Sequence, residues 1–269
     1  MERNILTEMN KNIEMVQKIH KNSFLFQQLV NRDFKHKYKR TIFGMAWSVL
    51  SPLLTLLVMR LVFYNFFGRT TPHYTTYLFC GNIVMSYYRE ATKNGMTSLM
   101  HNSNIITKIN FPKYLFLLSS NISALINFGL TLIVFFLFCI IDGITFTPKM
   151  FLLIYPILCL LIMNIGVGMI LSALFVFFKD ISYLYDVFLT LLTYVSAIFY
   201  TIDSFPMMMQ RLYLLNPVYC IIKYFRLIVI DEMIPSLAFH GLCALYAIVL
   251  LLLGCYIYKR YNHEFIYYM

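Results

Sequence analysis

Six cysteines, six histidines and twelve acidic residues are the chain's supply of metal ligands, nucleophiles and acid–base groups. Their spacing forms no reaction centre. Cys80, Cys139, Cys159, Cys220, Cys243 and Cys255 stand singly in apolar context, with no Cys-x-x-Cys pair and no flanking histidine. Cysteines placed this way behave as small buried hydrophobes. The histidines are scattered, so no metal site is expected. Glu90 follows Arg89, and pairing with it or with Lys93 is the simple expectation, which leaves no carboxylate pair in a catalytic setting. None of the ten glycines is followed by lysine, which excludes a GxxxxGK[ST] phosphate loop and ATP binding by that route. No apolar stretch carries the closely spaced Asp, Glu or His of a proton relay. The remaining chemistry is that of hydroxyls, amides and rings: 21 Tyr and 25 Phe in 269 residues.

The elements that must position those groups are membrane spans. Apolar residues make up 60% of the chain and charged ones 13%, against about 45–50% and 25% in soluble domains. Mean hydropathy is +0.69. Such a composition excludes both a disordered chain and an ordinary water-soluble enzyme. A spanning helix needs about 20 mostly apolar residues. Six stretches read as spans: 42–67, 74–88, 114–141, 150–178, 184–202 and 234–258. The fold class expected is an all-α integral membrane protein with a six-span domain over 42–258. An even count puts both termini on one side. With both ends inside, the inner segments 1–41, 94–113, 179–183 and 259–269 carry fourteen Lys and Arg, and the outer segments 68–73, 142–149 and 203–233 carry five. That asymmetry assigns the termini to the cytoplasm. The formal charge of +10 is then mainly a topology signal, and nucleic acid is not an expected partner. Residues 1–40 hold Lys and Arg throughout and lack the apolar core of a signal peptide.

Two stretches are neither spans nor simple loops. In 23–40, Phe26, Leu29, Val30 and Phe34 share one helical face, and Arg32, Lys35 and Lys39 another. This is the pattern of an amphipathic helix lying at the membrane interface; a cytoplasmic extension of the first span is the alternative. Segment 203–233 has short apolar runs broken by Pro206 and Pro217. Two short re-entrant helices entering from the outer face fit it, as does an outer loop with surface helices. Gly166-Val167-Gly168 reads as a close helix contact or a local bend. Arg60 interrupts the first span, and a lone Arg at mid-bilayer costs at least ~2.5 kcal/mol. It is expected to face water, a partner helix or a substrate.

Four stretches in order resemble the membrane subunit of bacterial ATP-binding-cassette exporters of surface polysaccharides, the O-antigen, capsule, teichoic acid and rhamnan permeases. They are RDFKHKYKRTIFGMAWSVLSPLL at 32–54, NSNIITKINFPKYLFLLSS at 102–120, FFKDISYLYDVFL at 177–189 and AIFYTIDSFPMMMQRLYLLNPVYCIIKYFR at 197–226. Their order and spacing extend over about residues 30–230. Lys179 stands where the family usually has Arg, and Arg60 where it is apolar or Tyr.

The resemblance implies a homodimer bound to two copies of a separate ATPase, which holds the ATP and Mg; no cofactor is expected in this chain. The substrate implied is a lipid-linked polysaccharide passing through a conduit at the dimer seam, in the cytoplasmic (inner) membrane of a bacterium. Coupling to the ATPase would fall on Arg32, Asp33, Asn104, Lys108, Phe111, Pro112, Lys113, Lys179 and Asp180. The conduit and outer gate would involve Arg60, Tyr194, Phe199, Tyr200, Tyr213, Asn216, Pro217 and Arg226. An exporter of a drug, peptide or lipid within the same superfamily is the alternative, ahead of an integral-membrane enzyme acting on lipid-linked sugars.

Overall fold

The computed structural model describes residues 23–35, 44–68, 71–108 and 111–268. All regular structure among these is helical. Helix α1 spans residues 23–35. A short turn, Gly44–Ala46, leads into α2, Trp47–Phe63, which loosens into a wider turn over Tyr64–Gly68. Then follow α3 (Tyr74–His101), α4 (Ser103–Ile106), α5 (Tyr114–Ile141), α6 (Ile154–Phe177, preceded by a 3-10 turn at Pro148–Leu153) and α7 (Ile181–Val195). The chain closes with α8 (Met207–Tyr213), α9 (Pro217–Val229), α10 (Leu237–Tyr261) and α11 (Phe265–Tyr268).

Four segments are long and apolar enough by themselves to cross a bilayer: Trp47–Gly68, Tyr114–Ile141, Pro148–Phe177 and Leu237–Tyr261. The other two expected spans differ in kind. Helix α3 has 28 residues, about 42 Å at 1.5 Å per residue, but carries Arg89, Glu90 and Lys93. Its Tyr74–Met85 stretch is buried throughout, so this helix is surrounded by protein more than by lipid. Helix α7 is apolar but only 15 residues long, below the usual spanning range of about 17–25. Helices α8 and α9 meet at 105°, in keeping with two short helices in place of one span.

Packing of the long helices depends on bare backbone. A Cβ on Gly166 of α6 would lie 2.5 Å from the Leu250 carbonyl of α10, and one on Gly254 of α10 would run into the Gly166 backbone. On the other side of α6, a Cβ on Gly95 of α3 would lie 3.2 Å from the Gly168 Cα. The Gly-Val-Gly pair therefore serves close approach, with α6 held between α3 and α10. Pro52 lies inside α2 and has no N–H for the Ser48 carbonyl one turn back. Thr131 Oγ1 of α5 lies 3.4 Å from that carbonyl and ties the two helices together.

Helix α1 is amphipathic as expected. Leu29 is buried; Leu25, Phe26, Val30 and Phe34 are half-buried; Arg32 and Lys35 are exposed. Lys39, the start of the first span at 42 and most of the segment 1–41 lie outside the described residues. Leu29 joins a second, smaller core at one end of the bundle with Leu99, Ile106, Phe111, Phe116 and Phe265.

Candidate functional site

At the inner end, α3 continues to His101, so the expected inner segment 94–113 is half helix. It then turns through α4, where Asn104 and Lys108 are exposed and Ile106 is buried. Phe111 is buried and meets Phe116 edge-on at 5.6 Å between ring centroids. Pro112 and Lys113 offer their carbonyls to Leu115 and Phe116 at 3.1 and 3.2 Å, which starts α5. The Lys113 ammonium donates to the Asn262 carbonyl and lies 5.5 Å from the Phe265 ring centroid. Burial holds its pKa below the ordinary lysine value. The C-terminal segment thus braces the return of the inner loop, a contact with no signature in the sequence.

Arg32 and Asp33 form one unit. The guanidinium donates to Asp33 Oδ1 at 2.7 and 3.0 Å, and Ser119 Oγ of α5 donates to Asp33 Oδ2 at 2.9 Å. Asp33 thereby pins α1 to α5 and leaves one face of Arg32 exposed. Lys179 and Asp180 are exposed in the tight turn between α6 and α7, where the Asp180 carbonyl accepts from Tyr183 at 3.1 Å. The end of the bundle expected to be inner presents Arg32, Asn104, Lys108, Lys179 and Asp180, while Asp33, Phe111, Pro112 and Lys113 hold that surface in place.

At the opposite end, the one expected to be outer, a cavity of about 1040 Å³ opens between α3, the 197–205 loop and α9. Rings of Phe67, Tyr77, Tyr200, Phe205 and Tyr219 line it, with Asp203 and Asp231 as acceptors. Burial and the neighbouring Asp203 raise the Asp231 pKa, opposed by Arg226 and Lys223. The Tyr200 hydroxyl lies 2.9 Å from that of Tyr213 and donates to the Tyr194 carbonyl at 2.9 Å. Asn216 caps α9: its Oδ1 accepts from Val218 and Tyr219 N–H at 3.0 and 3.2 Å, and its Nδ2 donates to Ser196 Oγ at 3.0 Å. Pro217 occupies the first helical position, where a missing N–H costs nothing.

Arg226, expected at the conduit and outer gate, turns inward to the backbone. It is 7% exposed and lies 3.4 Å above the centroid of the Tyr77 ring. Its terminal nitrogens donate to the carbonyls of Ala197 (2.9 Å), Ile198 (3.1 Å) and Tyr77 (3.4 Å). It is the internal strut of the outer loop. Phe199 is likewise buried, stacked on Phe63 at 4.4 Å, so it packs the loop against α2. Tyr194 is exposed. Arg60 is also exposed, with its guanidinium 5.7 Å from the Tyr64 ring centroid.

Glu90 does not follow the expected pairing with Arg89 or Lys93. Arg89 donates to Thr193 at 3.0 Å and Lys93 pairs with Asp186 at 2.6 Å, both on α7, while Glu90 accepts from Asn127 of α5 at 2.7 Å. Successive positions on a helix point in different directions, so adjacent charges need not meet. Sequence reasoning also passed over Tyr77, Asp203 and Lys223. Their only sequence signal is the polar and aromatic content of the outer segment.

A family model described as "ABC-2 type transporter" matches residues 24–230. Among curated proteins, an "O-antigen export system permease protein RfbA" of Klebsiella pneumoniae is 27% identical over 253 residues, covering 90% of this chain and 95% of that protein. A protein of the same name from Myxococcus xanthus is 23% identical, covering 94% and 98%. The "capsule polysaccharide export inner-membrane protein CtrC" of Neisseria meningitidis is 20% identical, covering 92% and 98%. An all-helical chain with several bilayer-length apolar segments, matched over most of its length, belongs to the ABC-2 type transporter family.

Proposed function

We propose that this chain is the permease subunit of an ATP-driven exporter that carries a lipid-linked surface polysaccharide across the cytoplasmic membrane of a bacterium. It works as a homodimer, with two copies of a separate ATPase seated on the inner surface. ATP and Mg belong to that partner. Both termini of the permease are cytoplasmic, and the outer segment at 203–233 is the exit.

The outer cavity is the observation that carries this reading. Its wall combines flat rings with carboxylate and hydroxyl groups at the mouth of an otherwise apolar bundle. A sugar polymer presents C–H faces to rings and hydroxyls to polar groups, and this wall offers both. The exposed face of α2, with Leu54, Leu57, Val58 and Leu61, supplies an apolar surface for a second copy or for lipid. The exposed Asn104 of α4 and Lys108 just after it supply a short polar edge for an ATPase cleft.

Deleting the gene and staining for surface glycan tests the reading. The expected result is polymer lost from the surface and retained inside, restored by the intact gene. Surface glycan that is unchanged by the deletion points to a drug, peptide or lipid cargo. Replacing 104–108 by a Gly/Ser linker is expected to lower co-purification of the ATPase at least about tenfold, the effect of losing ~1.4 kcal/mol of binding. Undiminished complex and export would remove the coupling role of this loop.

A further inference from the structure

Charge does not balance on the side of the bundle where α3 touches both α2 and α7. Segment Trp47–Gly68 holds a single formally charged residue, Arg60. Helix α3 holds Arg89, Glu90 and Lys93, and α7 holds Asp186 alone. Both carboxylates are engaged. Asp186 pairs with Lys93 at 2.6 Å, and Glu90 turns to Asn127 of α5 at 2.7 Å. Arg60 and Arg89 are exposed, and among the described residues no carboxylate forms an ion pair with either.

A chain of contacts joins the two arginines. Arg89 gives one N–H to Thr193 of α7 at 3.0 Å. The next residue, Tyr194, has its ring centroid 5.8 Å from that of Phe199, and Phe199 stacks on Phe63 of α2 at 4.4 Å. Arg60 lies one turn before Phe63, with its guanidinium 5.7 Å from the Tyr64 ring centroid. Most of the N–H donors of both groups stay unused.

Neither arginine sits at a helix end, and they stand at different heights. Tyr64 of α2 lies beside Tyr74, the first residue of α3, with 6.3 Å between ring centroids. Arg60 is about one turn from that level along α2, and Arg89 is about four turns from it along α3. A cation without a carboxylate partner inside a membrane bundle is costly to maintain and marks the path of a charged substrate or ion. Away from bulk water, opposite charges attract far more strongly. A guanidinium fork matches carboxylate and phosphate oxygens.

The ligand chemistry is therefore anionic. A phosphate at the lipid end of a polymer, or in a lipid headgroup, supplies an anion at one height only. Acidic groups repeated along a chain in transit meet both arginines together. We propose that Arg60 and Arg89 contact acidic groups of the transported polymer, so that the cargo is an acidic polysaccharide bearing carboxylate or phosphate along its length. The proposal rests on the polysaccharide reading above and adds the charge class of the cargo and the side chains that read it.

The test has two arms. Surface polymer purified from the bacterium that carries the gene is assayed for uronic acid, other carboxylates and phosphate. The deletion strain is then complemented with the full chain or with Arg60→Gln, Arg60→Lys or Arg89→Gln, and surface polymer is measured. The expected result is an acidic group in the repeating unit. Each Gln variant should lower surface polymer about tenfold, the scale of one charge-assisted hydrogen bond, and Arg60→Lys should keep at least about half of it. The thermal transition of each purified variant separates a lost contact from a lost fold, and Arg60→Gln, exposed on α2, is expected to leave it unchanged.

A polymer without acidic groups overturns the proposal, even if its export falls in Arg60→Gln; the anion would then be the phosphate at its lipid end. Unchanged export of an acidic polymer in both Gln variants overturns it too, as does a loss in Arg60→Gln that Arg60→Lys does not relieve. If Arg60→Gln leaves export intact and shifts the thermal transition only in phosphatidylglycerol vesicles, the arginine serves lipid headgroups and the proposal falls. Failure here is distinguishable from failure of the exporter reading. Surface glycan that is lost on deletion but neutral sinks the acidic cargo alone, and glycan retained on deletion sinks the exporter.

Discussion

Arg226 illustrates how one buried side chain can decide a local fold. Its guanidinium satisfies the carbonyls of Ala197 and Ile198 at the bend between α7 and α8, where the chain has left helical geometry, and reaches the Tyr77 carbonyl of α3. Ala197 itself has a φ of 49°, and its carbonyl has no intrahelical donor to replace Arg226. Arg226→Ala is expected to cost about 2–4 kcal/mol, because it leaves buried acceptors without a donor. Arg226→Lys should recover only part of that, since an ammonium cannot span several carbonyls and also lie flat on Tyr77. Thermal unfolding of the purified protein in detergent measures both. The sequence places an arginine after an Asn-Pro break, and that much is legible. Whether it points to solvent, to Asp231 or to backbone depends on where the 197–200 loop folds back, which no local pattern encodes.

At the scale of helices, contact between α6 and α10 rests on Gly166 and Gly254, at each of which a Cβ would meet the backbone of the other helix. Gly254→Ala drives a methyl into the Gly166 backbone, which cannot move aside as a side-chain tip would. The expected cost is at least about 1–3 kcal/mol, as for overpacking elsewhere. Gly241→Ala, in the same helix, meets nothing within 4 Å. It should be neutral or stabilise by up to ~1 kcal/mol through helix propensity. The opposite signs of the two changes in one unfolding assay test the packing. The Gly-Val-Gly motif on α6 signals such a contact in the sequence. Its partner helix is not legible there, because many glycines in apolar stretches would serve equally.

At the scale of the molecule, the inner surface is held together from distant parts of the chain. Leu29, Phe111, Phe116 and Phe265 share a core, and Lys113 reaches the Asn262 carbonyl. Removing the fully buried Phe265 ring by Phe265→Ala should cost about 3–5 kcal/mol of local packing. Because that core supports the inner loop, the same variant is expected to reduce ATPase co-purification while leaving the outer half protected. Hydrogen exchange measured segment by segment separates the two ends. A uniform loss of protection would mean that the core is not a separate unit.

The amino-acid sequence by itself determined the helical membrane class, the approximate limits of the long helices other than α3 and the amphipathic character of residues 23–35. These follow from apolar length and from period, properties that each segment carries alone. The order of its motifs also carried the family. Tertiary structure alone decided that α3 is an inner helix despite its charges, that Glu90 turns to Asn127 while Arg89 and Lys93 turn to α7, and that Phe199 and Arg226 are interior. Those outcomes depend on which helix stands beside which and at what rotation. Rotation is set by the sum of contacts across the bundle, and it is closed by bare backbone at Gly95, Gly166, Gly168 and Gly254.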